Sequence, residues 1–180
     1  GKSVCYQLPA LMLEGVTLVI SPLISLMKDQ VMALKASGVA AAYINSSLTP
    51  GQQAEAIRRA AAGAYRIIYV APERLDMPSF LAFAQKARIP LLAVDEAHCV
   101  SQWGQDFRPS YLRIADFVRR LPRRPAVGAF TATATRRVRD DIVKMLDLEE
   151  PLCLTTGYNR PNLHFASVKP TNKFTMLCSF

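Results

Sequence analysis

No apolar run in the sequence approaches the roughly 18 residues that a membrane-spanning helix needs. Lys2 followed by an apolar stretch imitates a secretory leader, but Pro9 and Glu14 interrupt it and no small-residue cleavage site follows. An intracellular chain with no membrane partner is therefore expected. Cysteine is sparse and scattered: Cys5, Cys99, Cys153 and Cys178 form no C-x-x-C pair, and the two histidines, His98 and His164, add no ligand spacing. Neither a zinc site nor a disulfide framework is expected. Acidic side chains are the minority, 14 against 22 Lys and Arg, and the resulting net charge of +8 suits a polyanionic partner. Charge alone is a weak signal. There is no internal repeat, low-complexity tract or flexible linker, so 180 residues amount to one domain, or one domain plus a piece of a second. The plausible boundary is the Tyr158 to Asn162 segment with its Pro161.

Apolar residues are plentiful at 51%, enough for a core. They fall in short continuous runs: Val16 to Ile20, Arg66 to Val70, Leu91 to Val94 and Ala126 to Phe130, with Ala40 to Ile44 a weaker fifth. Continuity rather than alternation predicts strands buried on both faces, and helical segments between them predict parallel βαβ units. An α/β fold follows, with a mostly parallel sheet covered by helices on each side. Ser21 is expected to cap a helix starting at Pro22, with Leu23, Met27, Val31 and Leu34 on one face and Gly38 at its exit. Thr49-Pro50-Gly51-Gln52 has capping-box spacing and opens a helix ending near Gly63. Pro109 opens another, with Leu112, Phe117 and Leu121 inward. Thr135 caps the last, with Val138, Ile142 and Met145 on its apolar side.

Each buried strand ends on polar groups: Ser21-Pro22, Ala71-Pro72-Glu73-Arg74, Asp95-Glu96, and Thr131-Ala132-Thr133. Ligands of open α/β sheets bind at the carboxyl ends of the strands. Two adjacent carboxylates there suit a metal ligand beside a base that positions water, although a strand followed by a solvated acidic turn reads the same way. Gly1-Lys2-Ser3, ahead of a helical segment to about Leu13, holds the last three letters of a phosphate loop, a commonplace triplet taken alone. Trp103 and Phe107, four apart, would more often be core. Here they sit among polar residues beside Arg108, an arrangement that suits stacking on single-stranded bases. The clusters Arg119, Arg120, Arg123, Arg124 and Arg136, Arg137, Arg139 fit solvated helix ends as well as phosphate contacts.

Taken in order, these segments resemble the first motor lobe of the RecQ family of superfamily-2 DNA helicases. Gly1 to Ala10 is similar to that family's phosphate-loop motif without its beginning, Val19 to Val31 to motif Ia, and Tyr69 to Leu75 to motif Ib. Asp95 to His98 is similar to motif II, Phe130 to Thr135 to motif III, and Asn159 to Leu163 to the opening of motif IV. Ser101 to Pro109 resembles the aromatic-rich loop that separates RecQ enzymes from other DEAH proteins. The resemblance implies a RecA-like P-loop NTPase lobe over residues 1–158, truncated at its amino end, with 159–180 leading into a second RecA-like lobe that is absent here. It implies ATP and Mg²⁺ as cofactors. Gly1, Lys2 and Ser3 would bind nucleotide, Lys2 neutralising phosphate charge, and Ser3 with Asp95 would hold the metal. Glu96 would orient or deprotonate water; His98, Thr131 and Thr133 would relay nucleotide state. Trp103, Phe107, Arg108 and Lys28 would meet DNA.

The implied parent is an ATP-dependent helicase translocating 3′ to 5′ on single-stranded and forked DNA, in repair or recombination. Its compartment would be the cytoplasm, associated with the nucleoid in a bacterium. The expectation for the 180 residues alone is little or no activity. Gln105 stands where the family usually has His; it keeps hydrogen bonding but cannot carry a proton charge, which implies weaker coupling of DNA to ATP. A DEAD/DEAH-type RNA helicase lobe and a catalytically silent nucleic-acid-binding module are the alternatives.

Overall fold

In the computed structural model, residues 1–155, 162–164, 166–167, 169 and 172–174 are described. The expected domain boundary and the motif IV similarity (Asn159 to Leu163) fall largely outside the described residues. Eleven regular elements alternate among them: α1 (Val4–Met12), β1 (Thr17–Ile20), α2 (Ile24–Ala36), β2 (Ala41–Ile44), α3 (Pro50–Ala61), β3 (Ile67–Val70), α4 (Pro78–Lys86), β4 (Leu91–Val94), α5 (Arg113–Arg119), β5 (Ala126–Ala129) and α6 (Arg136–Met145). The five strands form one sheet in the order β2-β3-β1-β4-β5, every pair parallel.

Side chains alternate across a strand, and the two faces bury separate cores. Leu18, Ile20, Ile68, Val70, Leu92 and Val94 pack with Ile57 of α3, Phe80 of α4, Phe117 of α5 and Ile142 of α6. The alternate residues Val19, Ile67, Tyr69 and Ala93 pack with Tyr6 of α1 and Met27, Val31 and Leu34 of α2. Continuous apolar strands therefore meant burial on both sides. On the first face, Phe80 stacks on Phe117 with ring centroids 5.9 Å apart and meets Phe83 at 5.8 Å.

The register sets strand ends level: Ile20 pairs with Val70 and with Val94, and Val94 with Ala129. At the opposite end, Gly15 has φ +113° and a Cβ there would run into the Arg88 carbonyl, which accepts from Val16 N–H at 2.9 Å. Only glycine combines that dihedral with that approach.

Two caps agree with the sequence: Thr49 and Gln52 form the reciprocal capping box of α3, and Thr135 accepts from Val138 N–H at α6. Other expectations need correction. Ser21 does not cap α2, because its N–H still donates to the Val70 carbonyl (3.1 Å) as part of the sheet; the helix starts at Ile24 and Leu23 is left exposed. A 3₁₀ turn, Pro109–Leu112, precedes α5 and turns Leu112 outward, while Phe117 and Leu121 are buried as expected. Strand β5 is not buried on both faces. It is one of the sheet's two edges, with Ala126 exposed and Val127 to Ala129 half-covered. Helix α4, opened by Pro78, had no counterpart in the sequence reading. Among the described residues no helix is long and apolar enough to cross a membrane. Among the described residues no group of three or more His, Cys, Asp or Glu is poised for a metal, and Cys5, Cys99 and Cys153 are free thiols.

Candidate active site

Where β4 ends, the backbone is pinned on two sides. Asp95 N–H donates to the Ile20 carbonyl of β1 at 2.8 Å, and Ala97 N–H donates to the Phe130 carbonyl beyond β5 at 2.9 Å. Between these anchors Glu96 adopts φ +47°, ψ +45°. That left-handed conformation costs a non-glycine residue of order 1 kcal/mol or more and persists only where surroundings enforce it. Its effect is to separate the acids. Asp95 is buried, with Oδ1 accepting from Glu96 N–H at 3.0 Å, while the Glu96 carboxylate stays partly exposed. Burial, then the neighbouring Glu96 charge, raises the Asp95 carboxyl above its ordinary pKa.

Glu96 is the hub. Its Oε1 lies 2.9 Å from Lys2 Nζ and its Oε2 3.3 Å from His98 Nδ1. The same His98 Nδ1 lies 2.9 Å from Thr131 Oγ1, which also accepts from Thr133 N–H at 3.2 Å. A continuous polar line thus runs from Lys2 through Glu96 and His98 to the threonines beyond β5. Thr133 joins it through its backbone, with its side chain exposed. Lys2 and Ser3 stand at the start of α1, where the amides of residues 4–7 donate into the turn and those of Lys2 and Ser3 have no partner among the described residues. Free amides at a helix amino terminus, next to a lysine, favour an anion.

The donor set fits Mg²⁺, a hard cation that takes one or two carboxylates with phosphate and water oxygens rather than an all-protein cage. Asp95 supplies a buried carboxylate and Ser3 a hydroxyl from the residue after Lys2.

The following loop is fastened to this centre. Ala97–Val100 forms a buried 3₁₀ turn, and Arg108 N–H returns to the Cys99 carbonyl at 2.9 Å. Gly104 lies so close to the His98 carbonyl that a Cβ would collide with it. Burial pushes the Cys99 thiol up to about 11. Trp103 is 61% exposed, with the Arg137 guanidinium 3.6 Å from its ring centroid. Phe107 is half-buried, less open than the sequence implied. Arg108 is committed to Asp106 (2.8 Å) and the Pro22 carbonyl (3.0 Å), bridging the loop to the segment after β1. Gln105 is exposed. Lys28 is exposed on α2 and shares no hydrogen bond or ion pair with the loop among the described residues.

Two participants escaped the sequence reading, and a third, Arg137, was read only as one of a basic cluster. Tyr111, fully buried, donates its hydroxyl to the Asp95 carbonyl at 2.9 Å, and burial raises its phenol. Asp141 accepts from Ser101 Oγ at 2.5 Å, and Arg137 covers Trp103. Each depends on a fold contact 16 to 40 residues distant in sequence, or 34 for Arg137 and Trp103. Only a lone Tyr after Arg-Pro-Ser and the arginine cluster itself were visible. The other basic cluster is largely occupied: Arg119 pairs with Asp116 and Asp147, Arg120 with Asp76, and Arg124 with Glu149.

The chain has relatives among known proteins. The family model of the DEAD/DEAH box helicases matches residues 1–142. The chain is 52% identical over 173 residues to the ATP-dependent DNA helicase RecQ of Bacillus subtilis (strain 168), an alignment covering 96% of this chain and 29% of that protein. It is 43% identical to the ATP-dependent DNA helicase RecQ of Pasteurella multocida (strain Pm70), covering 100% of this chain and 28% of that protein. The chain thus spans less than a third of either relative's length. Among solved structures, a hypothetical ATP-dependent RNA helicase from Sulfolobus tokodaii superposes with a TM-score of 0.62 at 20% identity, covering 83% of this chain and 44% of that one, a likeness of fold. The parallel sheet is that of a RecA-like helicase lobe, and the chain belongs to the DEAD/DEAH box helicase family.

Proposed function

We propose that residues 1–158 are the first motor lobe of a RecQ-type, ATP-dependent DNA helicase, and that 159–180 lead into its second lobe. The observation that carries this reading is the polar line from Lys2 through Glu96 and His98 to Thr131, with the aromatic loop fastened to its far side. Similarity to the RecQ DNA helicases supports the choice of DNA over RNA.

In this mechanism the free amides of Lys2 and Ser3 receive phosphate oxygens, and Lys2 leaves Glu96 to neutralise the terminal phosphates. Asp95 and Ser3 would hold Mg²⁺, which when bound would supply positive charge against the phosphates. Glu96, released from Lys2, orients water and accepts its proton; phosphoryl transfer otherwise asks mainly for positioning and electrostatics. The change at Glu96 reaches His98 at 3.3 Å and Thr131 beyond it. Trp103 stacks on bases of single-stranded DNA, with Phe107 beside it and Arg108 holding the loop's shape. Lys28 meets the phosphate backbone, and translocation runs 3′ to 5′.

The test is ATP turnover in the full-length protein with DNA or RNA oligonucleotides. DNA should stimulate wild type and fail to stimulate Trp103→Ala. Stimulation that survives in Trp103→Ala removes the coupling role, and stimulation by RNA alone removes the DNA reading.

A further inference from the structure

Arg137 has no place in the site as read from motifs, yet its guanidinium lies over the Trp103 ring, 3.6 Å from the centroid. It belongs to the first turn of α6, the helix that follows Thr131 and Thr133 and is capped by Thr135. The indole stays 61% exposed although one face is covered, so its opposite face is open to solvent. A second link joins the same loop and helix: Ser101 Oγ donates to Asp141 Oδ2 and accepts from Trp103 N–H at 3.1 Å. The loop is therefore clipped to α6 at Ser101 and at the tip of Trp103. Arg136 and Arg139 are exposed alongside, Arg139 in a loose 3.9 Å pair with Asp140.

We propose that Arg137 is a positioning residue for nucleic-acid recognition: it backs the Trp103 indole so that a single-stranded base stacks on the open face. The base, indole and guanidinium then form one stack. The inference rests on the reading of Trp103 as a base platform and adds to it the partner that fixes the ring. A guanidinium suits this role because its plane can lie flat on the indole, which an ammonium cannot imitate. Because Arg137 rides on α6, the state of the loop is carried to the segment that holds Thr131 by a route separate from His98.

Two measurements test this. In the full-length protein, the part of the tryptophan emission that Trp103→Phe removes reports on Trp103, and Arg137→Ala should raise its acrylamide quenching constant. In the full-length protein, anisotropy of a fluorescein-labelled single-stranded oligothymidylate should show Arg137→Ala binding about two- to fivefold more weakly, as expected for an exposed cation–π contact. The slope of log affinity against log salt should change by well under one, because the side chain serves the ring and not a phosphate. Arg137→Lys should recover part of the loss. Unchanged or tighter binding by Arg137→Ala overturns the inference, since a guanidinium merely blocking the ring would give that result. A slope lowered by about one, with full recovery in Arg137→Lys, also overturns it in favour of a phosphate contact. Trp103→Ala separates the two levels. If it weakens binding while Arg137→Ala does not, the inference alone fails; if it leaves affinity unchanged, the base-platform reading fails and takes the inference with it.

Discussion

Replacing Glu96 by Gln should tighten nucleotide binding while removing turnover. The reason lies in where Lys2 rests. Its ammonium sits 2.9 Å from Glu96 Oε1, with side-chain exposures of 34% and 24%, so nucleotide must first take the lysine from the carboxylate. Coulomb's law at that separation gives about 1.4 kcal/mol in bulk water. Screening at this exposure and the entropy of holding a long side chain reduce it to about 0.5–1 kcal/mol. Glutamine keeps the shape and a neutral acceptor but loses the charge, so Lys2 is released at lower cost. Affinity for a fluorescent ATP analogue should rise about two- to fivefold at 1.4 kcal/mol per decade. Turnover should fall by about 10²–10⁴, the scale of a lost general base. The titration is run on the full-length protein with Lys2→Ala as the control for lost phosphate contact. Binding by Glu96→Gln that is weaker than wild type would refute the reasoning, because the pair would then be organising Lys2 rather than occupying it.

Asp95→Asn should stabilise the fold at neutral pH. Burial raises the Asp95 carboxyl above 3.8, so the folded chain holds that proton more tightly than the unfolded one. Its stabilisation is complete below the ordinary value and is lost as pH rises through the raised one. Melting curves should therefore show Asn above wild type at pH 7, the gap closing toward pH 4 or below; an equal or lower Tm at pH 7 contradicts this. Phe80→Ala, which empties the centre of the aromatic group with Phe83 and Phe117, should cost about 3–5 kcal/mol in urea unfolding. A loss near 1 kcal/mol would mean that the helical layer collapses around the gap. Gly104→Ala should displace the loop through its collision with the His98 carbonyl and shift Trp103 emission, leaving far-UV circular dichroism intact. An unmoved emission maximum would show that the turn yields instead.

Much of this architecture was legible because it is local. Continuous apolar runs place β1, β3 and β4, and short-range capping places α3 and α6. The acid pair was visible as residue types, but its division of labour was not. That division comes from the left-handed Glu96 backbone, held by carbonyls of Ile20 and Phe130 from two neighbouring segments. Ser21 misled because a good capping residue can remain in the sheet's own hydrogen-bond ladder. The run Ala126 to Phe130 misled because apolar character does not reveal how fully helices cover a strand's faces: edge strand β2 is largely buried, whereas edge strand β5 is not. Tyr111, Asp141 and the pairing of Arg137 with Trp103 were hidden because each acts across the fold on a residue that local pattern cannot pair with it.

The most direct test of the account is ATP turnover by the full-length protein, with and without single-stranded DNA, in wild type and His98→Ala. His98 joins Glu96 to Thr131, so the account predicts that DNA accelerates wild type and that His98→Ala loses the acceleration while still binding both nucleotide and DNA. Full DNA stimulation in His98→Ala would show that the line from Lys2 to Thr131 is not the path by which the two ligands communicate.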